Sequence, residues 1–183
     1  MRLFTAIDIP EDVRGTLRAL LGRWKPLARI SWSPVGNLHI TTKFIGEWPE
    51  ARLQEIKAAL NAIPRCGAID IAVRGLGWFP NDRHPRVFWA GIDGGEPLAN
   101  LARATERAVE ALGVSVEAPA VSIDARSYSP HLTLARIRES VPLDALRSAI
   151  AHITADFGAF RATEFFLYLS AAGKYTRLAA FPL

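Results

Sequence analysis

Two short stretches of the chain share one pattern. NLHITTKF (residues 37–44) and SPHLTLAR (129–136) each set a histidine, an apolar residue and a threonine at the head of an apolar run, just after a turn. On a strand, side chains at i and i+2 point to the same face, about 7 Å apart along the backbone. His39 and Thr41 therefore face one way, as do His131 and Thr133. A buried polar pair on an apolar strand costs free energy unless it finds partners. Two such pairs facing each other would make a cavity with two imidazoles and two hydroxyls. Imidazole, with an ordinary pKa near ~6.5, gives or takes a proton at neutral pH, so one ring can act as base and the other as acid. The hydroxyls can hold oxygens that gain charge in the transition state. A phosphodiester suits this set: in-line attack at phosphorus needs a base on the entering oxygen, an acid on the leaving oxygen, and donors on the non-bridging oxygens.

A third copy, AHITAD (151–156), fails on context. It sits at the tail of a helical pattern, where i and i+2 do not share a face. A histidine there is favoured by the helix dipole, so His152 reads as structural or solvated. His84, in NDRHPR, reads as an exposed loop residue.

The elements that must carry these motifs are legible in outline. RLFTAID (2–8) is a strand, and Pro10, Glu11 and Asp12 open a helix through about Trp24. ISWS (30–33) is a short strand candidate, and LHITTKFIG (38–46) a stronger one. Pro49 and Glu50 start a helix whose Leu53, Ile56, Lys57 and Leu60 give one apolar face. Residues 68–79 and 86–92 read as strands around a polar loop, and a helix over about 96–112 ends at Gly113. In the second half HLTLARI (131–137) is a strand. Pro142 opens a helix with Leu143, Leu146, Ala149 and Ile150 inward, and 163–170 and 175–183 close as strands. Pro49 follows His39 by 10 residues and Pro142 follows His131 by 11, with the next strands about 30 residues on in both halves. The spacing suggests a strand–helix–strand–strand unit occurring twice, whose lobes bring both His-x-Thr motifs to one groove.

Bulk properties narrow the class. The 183 residues suffice for one domain or two tightly associated lobes with a buried core. Half the residues are hydrophobic and the mean hydropathy is +0.12, which excludes a disordered chain. The apolar runs are far shorter than a membrane span, and the opening residues lack a signal-peptide pattern. Cys66 is the single cysteine, so no intrachain disulfide can form, consistent with a cytoplasmic location. A net charge of +4 and a pI near 9.6 mildly favour an anionic partner, although no Lys/Arg block is present. Four histidines and one cysteine show no metal-ligand spacing.

With these residues in place, the chain resembles the two-histidine phosphoesterase superfamily, and within it the RNA 2′,3′-cyclic phosphodiesterase branch, also called 2′-5′ RNA ligase. RLFTAIDIPEDVR, NLHITTKFIGE, RVFWAGI, YSPHLTLAR and YLSAAGKYTRLAAFPL carry the likeness over almost the whole chain. It implies an α+β, bilobed, pseudo-twofold fold with a cleft between two mainly antiparallel sheets. It also implies metal-free and cofactor-free opening of RNA 2′,3′-cyclic phosphate ends to a 2′-phosphate, with 2′-5′ ligation in some members. The partners implied are RNA ends, tRNA fragments among them, and the protein is expected to be a monomer. His39 and His131 correspond to the acid–base pair, and Thr41 and Thr133 to the phosphate binders. His131 is placed on the water and His39 on the departing ribose 3′-oxygen, an order the sequence does not fix.

Four further positions stand open. Lys43 shares the His39 face by strand parity and would offer charge to the phosphate or sit solvated at the cleft mouth. Arg136 has the opposite parity to His131, yet the resemblance points it toward substrate, through a bulge or bend. Arg126 and Tyr128 precede the second motif; an aromatic there stacks on a base or packs into the core. Trp32, Phe44 and Trp78 read as core rather than stacking platforms. Two other functions fit the same residues: an RNA-end or nucleotide binding module without turnover, and a phosphodiesterase for a small cyclic phosphate.

Overall fold

The computed structural model describes residues 1–113 and 128–183. Among the described residues, nine strands form two antiparallel sheets. They are β1 (Arg2–Asp8), β2 (Ser31–Trp32), β3 (His39–Glu47), β4 (Ile69–Phe79), β5 (Val87–Asp93), β6 (His131–Arg136), β7 (Asp156–Ala162), β8 (Glu164–Ala171) and β9 (Lys174–Pro182). Sheet A runs in the order β3-β1-β8-β9, and sheet B in the order β2-β6-β5-β4-β7. The helices among the described residues are α1 (Glu11–Trp24), α2 (Leu53–Asn61), α3 (Gly95–Glu110) and α4 (Asp144–Ala151). The α+β, two-sheet architecture matches the expectation from sequence.

Each helix follows from its apolar spacing. Val13, Leu17, Leu21 and Trp24 make the buried stripe of α1, behind the acidic first turn of Glu11 and Asp12. That stripe packs toward β7, and α4 lies beside it, with Ala149 and Ile153 near Leu20, Trp24 and Leu27. On the other side α3 covers β3 and touches α2. Its C-terminal turn ends at Gly113 in the left-handed region (φ +71°), a conformation that favours glycine. The core between these layers includes Leu3, Ile7, Ile40, Ile45, Ile56, Phe88, Leu132 and Leu146, all at most 1% exposed.

The boundaries depart from expectation in three places. Pro49 leads into a 3-10 turn (Glu50–Arg52), so α2 begins only at Leu53. Pro142 also lies ahead of its helix, which starts at Asp144. The strand β7 was not foreseen. Its sequence DFGAFRA carries Gly158 at φ +112°, and only Phe157 and Ala162 are buried, so it lacks an alternating apolar signal. Because β7 adds a strand to the second half, the two halves are not identical strand for strand.

The connectivity serves the cleft. The strand β3 in sheet A is followed by α2 and then by a hairpin, β4–β5, in sheet B. The strand β6 in sheet B is followed by α4, β7 and then a hairpin, β8–β9, in sheet A. Each motif strand thus feeds its hairpin into the opposite sheet, and β3 and β6 come close to each other where the sheets meet. No helix among the described residues is long and apolar enough to cross a membrane.

Candidate active site

The two histidines are the first residues of β3 and β6 and are held alike. Nδ1 of His39 lies 2.7 Å from the carbonyl oxygen of Asn37, and Nδ1 of His131 lies 2.9 Å from that of Ser129. A carbonyl only accepts, so each Nδ1 donates its proton backward along the chain, and each Nε2 is left for the cleft. Each ring also meets a phenylalanine of its own sheet: Phe4 at 4.8 Å from His39, and Phe79 at 5.0 Å, edge-on, from His131.

Strand registers decide which other side chains face the same way. Opposite β1, Asp8 pairs with His39, Ala6 with Thr41, Thr5 with Lys43 and Phe4 with Phe44. One extra residue, Thr42, is inserted between the Ala6 and Thr5 partners. Opposite β5, Gly91 pairs with His131, Trp89 with Thr133, Phe88 with Ala135 and Val87 with Arg136, and here Leu134 is the extra residue. Both bulges therefore fall at the third residue after the histidine. A bulge shifts the parity of everything beyond it. Arg136 is thereby carried onto the His131 and Thr133 face, as the resemblance required and simple alternation denied.

The same device overturns two expectations in β3. Lys43 is moved to the Thr5 face, where its Nζ lies 2.5 Å from Oε1 of Glu106 on α3. The register and this ion pair turn it toward α3 rather than toward the His39 and Thr41 side chains. Phe44 takes its place beside Phe4 on the cleft face, with ring centroids 6.2 Å apart, and is 40% exposed rather than core. Phe44 and Arg136 thus occupy matching positions, five residues after their histidines.

Thr41 and Thr133 are half-buried, and no partner among the described residues takes either hydroxyl. Their backbone is fixed instead: Tyr128 Oη donates to the Thr41 carbonyl (2.9 Å), and Ser33 Oγ to the Thr133 carbonyl (2.7 Å). Tyr128 therefore ties the segment before β6 to β3. Burial pushes its phenol well above the ordinary range, and its ring packs against the core, so it is a brace rather than a stacking platform. Arg126 lies outside the described residues. Trp32 and Trp78 pack around the buried Phe88 on the far face of sheet B, as expected. His84 is exposed in its loop, and His152 is exposed at the C-terminus of α4.

Electrostatics draws the set together. Burial is the main cause that lowers the pKa of both histidines. Arg136 lowers both further, so its charge acts on both rings. His39 also feels the charge of His131, which lowers its pKa, and that of Asp8, which raises it. Among the described residues, no carboxylate plays that part for His131. Asp8 is itself held by the Tyr168 hydroxyl (2.7 Å) and by Arg177, a network that the sequence reading missed. Its signal was the Asp at the end of β1, directly across from His39.

Comparison with known proteins agrees with this arrangement. The sequence model of the family described as LigT like Phosphoesterase matches residues 7–89. An RNA 2′,3′-cyclic phosphodiesterase of Methanocaldococcus jannaschii is 34% identical over 93% of this chain and 91% of its own. One from Thermus thermophilus is 35% identical over 78% of this chain and 71% of its own. A crystal structure of a Thermus thermophilus protein superposes with a TM-score of 0.79 at 31% identity, covering 100% of this chain and 98% of that one. The Escherichia coli protein LigT shares the fold, with a TM-score of 0.74 at 23% identity over 100% and 97% of the two chains. With relatives this similar along most of their length, and the fold shared from end to end, the chain belongs to the LigT-like phosphoesterase family of two-histidine phosphoesterases.

Proposed function

We propose that this protein opens 2′,3′-cyclic phosphates at RNA ends to 2′-phosphates by metal-free acid–base catalysis, using His39 and His131. The observation that carries the reading is the matched pair of imidazoles, each with Nδ1 tied to a backbone carbonyl and Nε2 left to one cleft. In the reaction the His131 Nε2 takes a proton from water as its oxygen bonds to phosphorus. The bond from phosphorus to the ribose 3′-oxygen breaks, and the proton on His39 Nε2 passes to that oxygen. Thr41 and Thr133 donate to the non-bridging oxygens, and Arg136 offsets the charge that builds there. The Asp8 carboxylate beside His39 favours the charged imidazole that an acid must be, which supports this order of roles. With an RNA 5′-hydroxyl in place of the water, the same groups would form a 2′-5′ linkage.

One chain supplies both histidines, which supports a single two-lobed domain that works as a monomer. The named relatives support RNA ends as the substrate class, and tRNA fragments are proposed as one source of such ends. An exposed, unpaired Cys66 is in keeping with a cytoplasmic location. The test is direct. His39→Ala and His131→Ala should each lower kcat by ~10² or more while the RNA end is still bound. Near-native turnover by either variant would sink the mechanism.

A further inference from the structure

Each His-x-Thr threonine sits directly before a bulge, and each bulge is fastened by a hydroxyl from outside its own pair of strands. The carbonyl of Thr41 belongs to the peptide that joins it to the bulged Thr42, and it accepts from Tyr128 Oη at 2.9 Å. The carbonyl of Thr133 belongs to the peptide that joins it to the bulged Leu134, and it accepts from Ser33 Oγ at 2.7 Å. Tyr128 lies on the approach to β6, so its bond ties the two motif segments together. Ser33 follows β2, and its N–H also donates to the carbonyl of Leu134 (2.9 Å), which holds that bulge at a second point. In β3 the second fastening is the hydroxyl pair Thr5–Thr42 at 2.7 Å. Burial raises the pKa of Tyr128, so its phenol stays protonated and donates.

A bulge interrupts the ladder that otherwise fixes a strand and re-aims the residues around it. Neither threonine hydroxyl has a partner among the described residues, so its direction is set through its backbone. A group that acts on a transition state has to be held within about 0.5 Å of its productive place by the shell around it. We propose that Tyr128 and Ser33 are positioning residues for the reaction. Each clamps the peptide that follows one threonine, Tyr128 for Thr41 and Ser33 for Thr133, and so directs that hydroxyl at a non-bridging phosphate oxygen. The assignment rests on the cyclic phosphodiesterase reading above and adds the residues that hold its two phosphate donors in place.

The experiment measures kcat on adenosine 2′,3′-cyclic phosphate for the two hydroxyl deletions, alone and in proteins that lack one phosphate donor. Tyr128→Phe keeps the ring that packs on the core, and Ser33→Ala removes a single oxygen. Thr41→Val and Thr133→Val keep the branched shape that suits a strand. Tyr128→Phe should lower kcat several-fold in the wild type and in Thr133→Val, and leave it unchanged in Thr41→Val. Ser33→Ala should show the converse, its loss vanishing only in Thr133→Val, and Ser33→Thr, which keeps a hydroxyl, should retain most of the rate. A loss that came from general destabilisation would pass undiminished through every background, because the effects of independent sites add. Equal losses in all three backgrounds, or no loss in the wild type, would overturn the proposal and leave the reaction standing. If the wild type opens no cyclic phosphate, the reaction itself fails, and the same variants read by calorimetric affinity for adenosine 2′-phosphate decide the clamps separately. Losses that vanish only in the matching threonine variant would sustain them, and additive losses, or none, would end them.

Discussion

At the scale of residues, the two histidines differ in one respect that bears on their roles. Burial lowers both pKa values, but Asp8 works against that only at His39. Replacing Asp8 with Asn removes the charge and keeps a similar shape, so the His39 pKa falls. If His39 is the acid, less of it is charged at neutral pH, and kcat/KM at pH 7 drops several-fold. If it were the base, activity would hold at pH 7 and rise on the acid side, because more of it would be neutral there. The wild-type profile should be bell-shaped, with its optimum on the acid side of neutrality, since burial holds both imidazoles below their ordinary ~6.5. Parallel pH–rate profiles of the two proteins read both points. These histidines were legible in the sequence because their type, spacing and context repeat. Asp8 was not, because its partner is set by the register of β1 against β3 and not by any local pattern.

At the scale of elements, the paired bulges determine which residues reach the substrate. Alternation along an unbroken strand puts Lys43 in the cleft and Arg136 outside; the extra residues Thr42 and Leu134 reverse both. Neither bulge carries a glycine at the inserted position, so the sequence offers no local mark of it. The buried hydroxyl pair Thr5–Thr42, 2.7 Å apart, gives Thr42 a partner on the side to which the bulge turns it. A comparison of two variants follows. Arg136→Met should cost on the order of 10² in kcat/KM, the scale of losing a charge-stabilising donor. Lys43→Met breaks only an ion pair with Glu106, so its loss should stay within about threefold, the size of effect common to ion pairs near the surface. Steady-state kinetics on one cyclic phosphate substrate checks the pair, and equal losses would contradict the register. The strand β7 shows the other limit of sequence reading: with two buried residues and a positive-φ glycine, it is a strand only because β4 offers an edge to pair with.

At the scale of the whole molecule, two sheets exchange hairpins so that two strands far apart in sequence meet across one cleft. The helices lie behind the sheets, α1 and α4 toward sheet B and α2 and α3 toward sheet A, which leaves the cleft faces to carry chemistry. The fold class was legible because strand and helix periods were clear. The pairing order β3-β1-β8-β9 was not, since it joins strands more than 100 residues apart. The cleft brings together His39, His131, Thr41, Thr133 and Arg136, the groups that the proposed reaction uses. The most direct measurement is to incubate the purified protein, with EDTA present, with a short RNA ending in a 2′,3′-cyclic phosphate, and to identify the product by NMR. The account predicts a terminal 2′-phosphate, formed at an undiminished rate in EDTA. An end that stays cyclic, or opening that stops in EDTA, would contradict it.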